Sequence, residues 1–427
     1  LIFGSLCLLL MIGIPISFAL ASVATVGLLF VVGEKGLYLI YNTAYAETSN
    51  FLLLAIPLFI LMANFLKHSG IGDNLYGVVF KWMGPLPGGL AVGTIIICAL
   101  FAAMAGISSV ATISMGLIAL PSMLKRGYDK RLVIGTISAG GALGILIPPS
   151  IIMILYGAVA DVSIGGLFIG GILPGLVLSI MYIIYILIVA FLNRELAPPI
   201  GERYGLVEKL KSLKGVALPL LLVLLVLGVI YGGICTPTEA SAVGAFGALI
   251  CSLIHRQMNW QRLKEVLLDT IRLNAMIFWL IIGAISFSHL LVYAEIQKLI
   301  EDGMLGLNLS PFMILVLIQA IFFVLGMFLD PAGIIMITTP IFVPVIKKLG
   351  FDPLWFGILF VVNMEMAYLT PPFGFNLFIM RSIVPPGIYM SDIYRSIVPF
   401  VAVQALCLIL LMIFPEIVMY LPSKMLK

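Results

Sequence analysis

The sequence predicts an all-α polytopic membrane protein with an inverted repeat, in which each half carries one re-entrant hairpin and one proline-broken helix. Three observations lead to this fold class. Of the 427 residues, 62% are apolar and only 10% are charged, whereas a soluble domain has about 25% charged residues. Two apolar runs are too long for one membrane crossing. A Pro-Pro doublet interrupts an apolar run at two related places.

The shortage of charged side chains excludes a soluble domain, because too little polar surface remains to face water. The formal net charge is +4. Most basic residues stand in short segments between apolar runs, which indicates membrane topology and not a nucleic-acid surface. The five cysteines show no CxxC spacing, so neither a disulfide framework nor a metal site made by cysteines is predicted. The first apolar run lacks a preceding basic region and a cleavage site, and we expect a true span there rather than a signal peptide.

Eleven apolar runs approach or exceed the length of about 20 residues that a membrane-spanning helix needs. Their approximate limits are 1–32, 51–66, 88–123, 131–160, 165–192, 216–232, 238–255, 273–290, 310–346, 354–383 and 396–421. The runs 88–123 and 310–346 contain small or polar breaks, AMAGISS at 103–109 and FLDPAG at 328–333. We interpret both as re-entrant hairpins, whose polar tips are tolerated at depth only where protein or a water-filled cavity covers them.

Three basic segments, 124–131, 193–215 and 255–264, are predicted to be cytoplasmic. With this assignment the chain makes nine full crossings and two hairpins. Its N-terminus lies inside and its C-terminus outside. The first hairpin then opens to the cytoplasm and the second to the outside.

An internal repeat relates the two hairpins. PSMLKRGYDK at 121–130 aligns with PVIKKLGFDP at 344–353, an offset of 223 residues, and the same offset carries the first Pro-Pro doublet (148–149) onto the second (371–372). A duplication whose copies open to opposite faces is the inverted-repeat architecture of secondary transporters. In that architecture, substrate and ion sites lie near the midplane, where broken helices of both copies meet.

The prolines indicate what such sites use as ligands. Because proline lacks an N–H and clashes with the carbonyl four residues earlier, the first doublet is expected to release the carbonyls of Gly144 and Ile145. The second is expected to release those of Ala367 and Tyr368. A monovalent cation would satisfy carbonyls that are otherwise bare in lipid. The alternative is a kink for packing, with nearby hydroxyls bonded to their own helices: Ser108, Ser109, Ser150, Thr338, Thr339 and Thr370.

Four polar side chains within apolar runs are further candidates. Asp330 at the second tip fits a contact to cation or substrate, and it also fits a helix N-cap before Pro331; the two roles can coexist. Asn363 is a candidate amide ligand, whereas Glu365 is either functional or a paired interior carboxylate. Arg381 either holds a substrate carboxylate or extends toward the membrane surface near the end of its span.

The whole chain resembles the large membrane subunit of the TRAP (tripartite ATP-independent periplasmic) transporters. The resemblance is carried by the two doublets together with the Ser-Ser tip at 108–109, DPAG at 330–333, TPTEA at 236–240 and LTPPFGFNLF at 369–378. It implies an elevator-type sodium symporter for an organic acid, of the sialic acid, C4-dicarboxylate or 2-oxo acid class, in a bacterial inner membrane. Na+ is the implied coupling ion. The implied partners are a small four-helix membrane subunit, to which this chain is expected to be unfused, and a periplasmic substrate-binding protein.

The resemblance also implies site residues. The family's first sodium site falls on Ser108, Ser109, Gly140, Gly144 and Pro148. The second falls on Gly326, Asp330, Asn363, Thr370 and Pro371. The candidate substrate contacts are Ser108, Ser150, Asp330, Asn376 and Arg381.

The expected organisation alternates static and moving parts. Scaffold helices are predicted at 1–87, at 165–290 and at 396–427, where the last helix lies. The two halves of a transport unit are predicted at 88–160 and 310–383, each with a hairpin and a broken helix.

Other function classes fit the sequence less well. It lacks HExxH, a P-loop and a haem-type histidine pair in facing spans, so neither an enzyme nor an ATP-driven pump is expected. A passive channel would show continuous polar stripes instead of two symmetry-related breaks. A proton-coupled organic-anion transporter of similar architecture stays open as the alternative, since Asp330 and Glu365 could carry protons.

Overall fold

The computed structural model describes residues 2–200, 202, 204–372 and 374–425. Within these ranges the regular elements are α-helices and two short 3-10 turns, Phe51–Leu54 and Leu143–Ile145, and no strand occurs. The prediction of an all-α fold is therefore confirmed. The termini of the first and last predicted segments, residue 1 and residues 426–427, lie outside the described residues.

In the described part of the chain the helices are α1 (Ile2–Met11), α2 (Ile16–Val32), α3 (Lys35–Thr48), α4 (Ala55–Lys67), α5 (Ile71–Met83), α6 (Gly89–Ala105), α7 (Ser108–Lys125), α8 (Lys130–Ala142), α9 (Ile151–Ala160), α10 (Ile164–Leu192), α11 (Leu206–Tyr231), α12 (Pro237–Ile254), α13 (Trp260–Tyr293), α14 (Ile296–Leu305), α15 (Pro311–Gly326), α16 (Pro331–Lys348), α17 (Pro353–Leu369), α18 (Phe375–Ile383), α19 (Met390–Ile413) and α20 (Glu416–Lys424).

The chain is a multi-pass membrane protein. Seven of its described helices are long and apolar enough to cross a membrane, or eight if α3 and α4, which are bent by 52°, form one span. Several predicted crossings are made of shorter helices separated by breaks, as at α8 and α9. The count of nine crossings stays a prediction.

Two expected spans are divided. The run 1–32 is not one continuous helix, because α1 stops at Met11 and α2 starts after Pro15, which is its N-cap. Gly13 in this break has φ +86°, a conformation that glycine adopts without strain. The run 396–421 is divided in the same way at Pro415, between α19 and α20.

Two expected loops are partly helical. α11 starts at Leu206, inside the segment 193–215, and α13 starts at Trp260, inside the segment 255–264. The first turns of α11 and α13 carry charged residues of types that favour helix formation. The basic segments therefore lie partly inside α11 and α13 and are not simple loops.

The two long runs are pairs of helices. α6 ends at Ala105, the C-cap Gly106 has a φ of +62° that lets the chain turn back, and α7 starts at Ser108. α15 ends at Gly326, and α16 starts at Pro331 after the N-cap Asp330. In both pairs the two arms pack against each other, as the hairpin interpretation requires.

Corresponding positions of the sequence repeat adopt the same local structure. Gly127 and Gly350 have φ values of +80° and +83°. Asp129 and Asp352 cap α8 and α17, each accepting hydrogen bonds from the backbone N–H groups two and three residues later. Both helices end before their Pro-Pro doublets. A further helix follows each doublet, α9 in the first copy and α18 in the second.

The hairpin bases lie at opposite ends of α10, a helix of about 43 Å. The N–H of Asp129, at the base of the first hairpin, donates to the carbonyl of Leu196 just past the C-terminus of α10. Leu354, next to the base of the second hairpin, packs on Gly166 at the N-terminus of α10. This arrangement is the one that an inverted pair of hairpins needs.

The two broken helices form the centre of the protein. Every residue from Leu132 to Leu146 and from Trp355 to Ala367 is buried. The buried stretches include polar side chains such as Asn363 and Glu365, which are costly to place in lipid and therefore face the protein interior. The helices that lead to the two breaks are therefore enclosed by other helices, as is the first break, whereas at the second break Pro371 is half-buried and Pro372 is exposed.

Candidate functional site

A cavity of about 400 Å³ lies where both hairpin tips and both broken helices meet α2, α4 and α13. The tips contribute Gly106, Ile107, Ser108, Ser109, Asp330 and Ala332; the broken helices contribute Ile145, Ile151, Ile152, Leu155, Tyr368 and Phe375; the other helices contribute Pro15, Ile16, Ser17, Ile60, Leu273, Met276, Ile277 and Leu280. Within this lining the one charged side chain is Asp330. The wall is otherwise mainly apolar.

The first hairpin tip packs directly on the first break. A Cβ on Gly144 would lie 2.9 Å from the backbone N and Cα of Ser108, and one on Gly106 would lie 2.4 Å from the carbonyl oxygen of Pro149. The Ile151 N–H donates to the Gly106 carbonyl at 3.5 Å. Glycine at both positions is what allows the backbones to approach so closely.

Ser108 is also tied to the second half of the chain. Its hydroxyl donates to the Asn376 amide oxygen at 3.0 Å, and the Asn376 amide nitrogen donates to the Ser138 carbonyl at 3.3 Å. Ser108 is 2% exposed and Asn376 is fully buried. Asn376 thus joins α18 to the first tip and to α8.

The other predicted members of the first sodium site lie around this contact at different depths. Ser109 is half-buried and faces the cavity. Gly140 lies in α8, one turn before Gly144, and packs against the Cys98 side chain of α6. Pro148 is buried at the break itself. The structure therefore brings Ser108, Ser109 and Gly144 together at the tip, whereas Gly140 packs against α6.

One carbonyl at each break has an internal partner. The Ser150 hydroxyl donates to the Ile145 carbonyl at 2.6 Å, and the Thr370 N–H donates to the Ala367 carbonyl at 3.1 Å. The expectation that these two carbonyls are free is therefore wrong, because the break folds back on them. No described residue donates to the carbonyls of Gly144 or Tyr368.

Several hydroxyl groups follow the packing alternative. Thr338 donates to the Ile334 carbonyl and Thr370 to the Met366 carbonyl, both at 2.7 Å and both four residues back in the same helix. Ser150 is fully buried by its bond across the first break and does not line the cavity. These hydroxyls keep lone pairs, but their protons stabilise their own helices.

Asp330 combines the two roles that the sequence left open. Its carboxylate accepts from the N–H groups of Ala332 at 3.2 Å and Gly333 at 3.1 Å, which caps α16. The same side chain is exposed to the cavity. A cap and a charged contact for a bound ion are therefore available at one position.

The remaining members of the second predicted sodium site are spread along the second half. Gly326 packs on Ala367, where a Cβ would lie 2.3 Å from the alanine methyl. Asn363 lies two turns before Thr370, and its amide nitrogen donates to the backbone and side-chain oxygens of Gln319 at 2.7 and 2.8 Å. Asn363 therefore joins α17 to α15, and it does not line the cavity that Asp330 lines. Its own amide oxygen is buried without a partner in the described residues.

Arg381 lies away from the cavity. Its guanidinium donates to the Ile388 carbonyl at 2.7 Å, in the segment that leads to α19, and the residue is exposed. This placement fits the alternative in which the side chain extends toward the membrane surface.

Glu365 is fully buried in α17, and neither of its carboxylate oxygens has a hydrogen-bond partner in the described part of the chain. Its surroundings include Tyr182 of α10 and Cys407 of α19. Gln404 of α19, also fully buried, lies beside the Tyr182 hydroxyl. The interpretation as a paired interior carboxylate is therefore not supported.

The sequence reasoning missed three parts of the cavity wall. The break before α2 contributes Pro15 to Ser17, and the motif GIPIS could have revealed it. Tyr368 and Phe375 flank the second break with ring centroids 5.5 Å apart. The α13 side chains are ordinary apolar residues, and no sequence signal separates them from core.

The comparisons with known proteins agree with the architecture. Residues 3–417 match the family model described as "Tripartite ATP-independent periplasmic transporter, DctM component". The "C4-dicarboxylate TRAP transporter large permease protein DctM" of Pseudomonas aeruginosa is 37% identical over 88% of this chain and 88% of its own length. The protein of the same name from Vibrio cholerae is 34% identical over 97% of this chain and 95% of its own length.

A solved structure shares the fold. The YdaH transporter of Alcanivorax borkumensis superimposes with a TM-score of 0.65 over 90% of this chain and 89% of its own, at 17% sequence identity. The relatives at higher identity are transporter permeases and not enzymes, as predicted. The chain belongs to the DctM family, the DctM component of the tripartite ATP-independent periplasmic transporters.

Proposed function

We propose that this permease performs sodium-coupled uptake of an organic acid across a bacterial inner membrane by an elevator mechanism. One observation carries the proposal. A single cavity is walled by both hairpin tips and both broken helices on one side and by α2, α4 and α13 on the other. A site placed between two bodies in this way can change its access when one body slides past the other.

The electrostatics of the cavity support cation coupling. Its one charged lining side chain is the Asp330 carboxylate, and most other lining atoms are apolar. An organic anion is repelled by that carboxylate, and the repulsion is strong in a medium of low dielectric constant. A bound cation would offset the repulsion, so cation and anion are expected to bind together.

The residues at the breaks fit a sodium ion. The Gly144 and Tyr368 carbonyls have no described donor, and the Ser108 hydroxyl and Asp330 carboxylate lie at the two tips. Hard monovalent cations take oxygen ligands of these kinds, and helix C-terminal ends favour them. When bound, the ion supplies positive charge beside the substrate.

The relatives narrow the substrate class. Two relatives at 34–37% identity are named for C4-dicarboxylates, and a Vibrio cholerae relative is named for sialic acid. We propose a C4-dicarboxylate as the first substrate to test, with sialic acids and 2-oxo acids next. As one component of a tripartite periplasmic system, the chain would act with a small four-helix membrane subunit and a periplasmic binding protein that delivers the acid.

Glu365 favours a second candidate, proton-coupled transport of an organic anion. A buried carboxylate without a partner is costly in its charged form, and this one lies in α17, the helix that leads to the second break. A proton would remove that charge. Under this candidate a pH gradient would drive uptake, and sodium would not be needed.

Reconstitution tests the proposal. Large and small subunits in liposomes, with binding protein outside, are assayed for uptake of one radiolabelled C4-dicarboxylate, one 2-oxo acid and one sialic acid. We expect an inward sodium gradient alone to drive uptake of at least one acid. Uptake driven by a pH gradient alone would establish the second candidate instead, and uptake that follows the substrate gradient only would indicate a passive channel.

A further inference from the structure

The orientation of the Asn376 side chain is fixed by its two partners. The Ser138 carbonyl oxygen, 3.3 Å away, can only accept a hydrogen bond, so the amide nitrogen of Asn376 must face it. The amide oxygen of Asn376 then faces Ser108. Both side chains are buried, at 2% exposure or less.

The amide oxygen decides what Ser108 can still do. Because that oxygen only accepts, the Ser108 hydroxyl must donate its proton to it, over 3.0 Å. A serine hydroxyl has one proton and two acceptor lone pairs. With the proton occupied, Ser108 can offer only lone pairs to a further partner. A carboxylate needs donors, whereas a cation needs lone pairs.

We propose that Asn376 is a positioning residue, which holds the Ser108 hydroxyl as an acceptor for the coupling cation and prevents Ser108 from donating to the substrate. Neither residue is then a substrate contact. This inference rests on the proposed cation coupling. It adds that the ion site of the first half depends on a side chain that follows the break of the second half.

The position of Asn376 in the chain links the second break to the proposed cation site at Ser108. Asn376 lies in the first turn of α18, directly after the second Pro-Pro break. A shift of that break would move the amide oxygen away from Ser108. The Ser108 hydroxyl would then be free to rotate, and the first cation site would weaken. The two breaks are therefore linked through one hydrogen bond.

A double-mutant cycle tests the inference. Sodium half-saturation of uptake is measured for the wild type, Ser108→Ala, Asn376→Ala and the double variant. In parallel, the sodium-dependent rise in Tm of the purified proteins is measured without substrate. We expect Asn376→Ala to raise the sodium half-saturation concentration by about tenfold, which is the effect of losing one interaction of ordinary strength. The double variant should match Ser108→Ala, because Asn376 acts through Ser108.

Each other outcome has a defined meaning. Additive effects in the cycle, or an unchanged sodium response in Asn376→Ala, overturn the inference and leave the proposed function intact. A lower substrate affinity at saturating sodium, with normal sodium half-saturation, shows that Asn376 contacts the substrate and overturns it as well. A wild type that ignores sodium overturns the proposed function, and the inference with it. If Asn376→Ala does not fold, Asn376→Ser, which is too short to reach Ser108, replaces it in the cycle.

Discussion

The Ser108 hydroxyl and the Asn376 amide oxygen lie 3.0 Å apart although 268 residues separate them in the chain. The contact joins the tip of the first hairpin to the helix that follows the second break. Both halves of the chain also line the same cavity, so their candidate site residues belong to one region of the protein. Under the proposed function, transport depends on groups at the breaks, whose hydrogen bonds can be altered one at a time.

At the first break, replacing the two prolines is expected to change the sodium dependence of uptake by different amounts. Pro148→Ala restores an N–H opposite the Gly144 carbonyl, which has no described donor. Pro149→Ala restores one opposite the Ile145 carbonyl, which already accepts from Ser150. We expect Pro148→Ala to raise the sodium half-saturation concentration of uptake by about tenfold and Pro149→Ala to change it less. Equal effects would favour a packing kink.

At the second break the order of the two prolines is reversed. Pro372→Ala restores an N–H opposite the Tyr368 carbonyl, which has no described donor. Pro371→Ala restores one opposite the Ala367 carbonyl, which already accepts from the Thr370 N–H. Pro372→Ala is therefore expected to weaken the sodium dependence of transport more than Pro371→Ala. A stronger effect of Pro371→Ala would show that the hydrogen bond from Thr370 gives way when the ion binds.

Asp330 and Asp352 form a matched pair, because both cap a helix through two backbone N–H groups and only Asp330 lines the cavity. Replacement of either by alanine should cost about 0.5–2 kcal/mol of stability through the lost cap, measured as a fall in Tm. Replacement by asparagine keeps a capping oxygen. Asp330→Asn should abolish sodium-driven uptake while Asp352→Asn leaves it normal. Uptake by Asp330→Asn at the wild-type rate would show that Asp330 is a cap alone.

Labelling tests the topology. Lys125 and Lys347 are exposed near the bases of the first and second hairpins, respectively. In a Cys7→Ser background, an impermeant maleimide added to intact spheroplasts should label Lys347→Cys and not Lys125→Cys. The opposite result would reverse the assignment of cytoplasmic and periplasmic faces.

Local chemistry explains which features the sequence revealed. A Pro-Pro doublet, a Gly106 tip or an Asp-Pro start acts on the backbone within a few residues, so the helix breaks could be placed from the sequence. The partners of the freed carbonyls could not, because whether Ser150 reaches across a break depends on how tightly the chain turns. The link between Ser108 and Asn376 depends on packing between halves and leaves no local signal. Apolar cavity residues such as Met276 look like any core residue.

The elevator account makes α17, with its hairpin and break, part of a unit that slides past α10. Leu354 of α17 packs on α10, where its Cδ2 lies 3.1 Å from the position of a Cβ on Gly170. Neither Gly170 nor Leu354 lines the cavity, and Leu354 lies beside the base of the second hairpin. A crosslink there would fix the two bodies without touching the site.

A control pair with the same residue types lies between two helices that are both assigned to the scaffold. Leu222 of α11 has its Cδ1 2.4 Å from the position of a Cβ on Gly247 of α12. A crosslink between these positions should leave uptake unchanged.

The most direct test is sodium-driven uptake by the Gly170→Cys/Leu354→Cys protein before crosslinking, after crosslinking and after reduction. The account predicts that the crosslink abolishes uptake, that reduction restores it, and that the sodium-dependent rise in Tm is the same in all three states. Uptake at a normal rate by the crosslinked protein would contradict the account, and gating by the hairpins alone would replace the elevator.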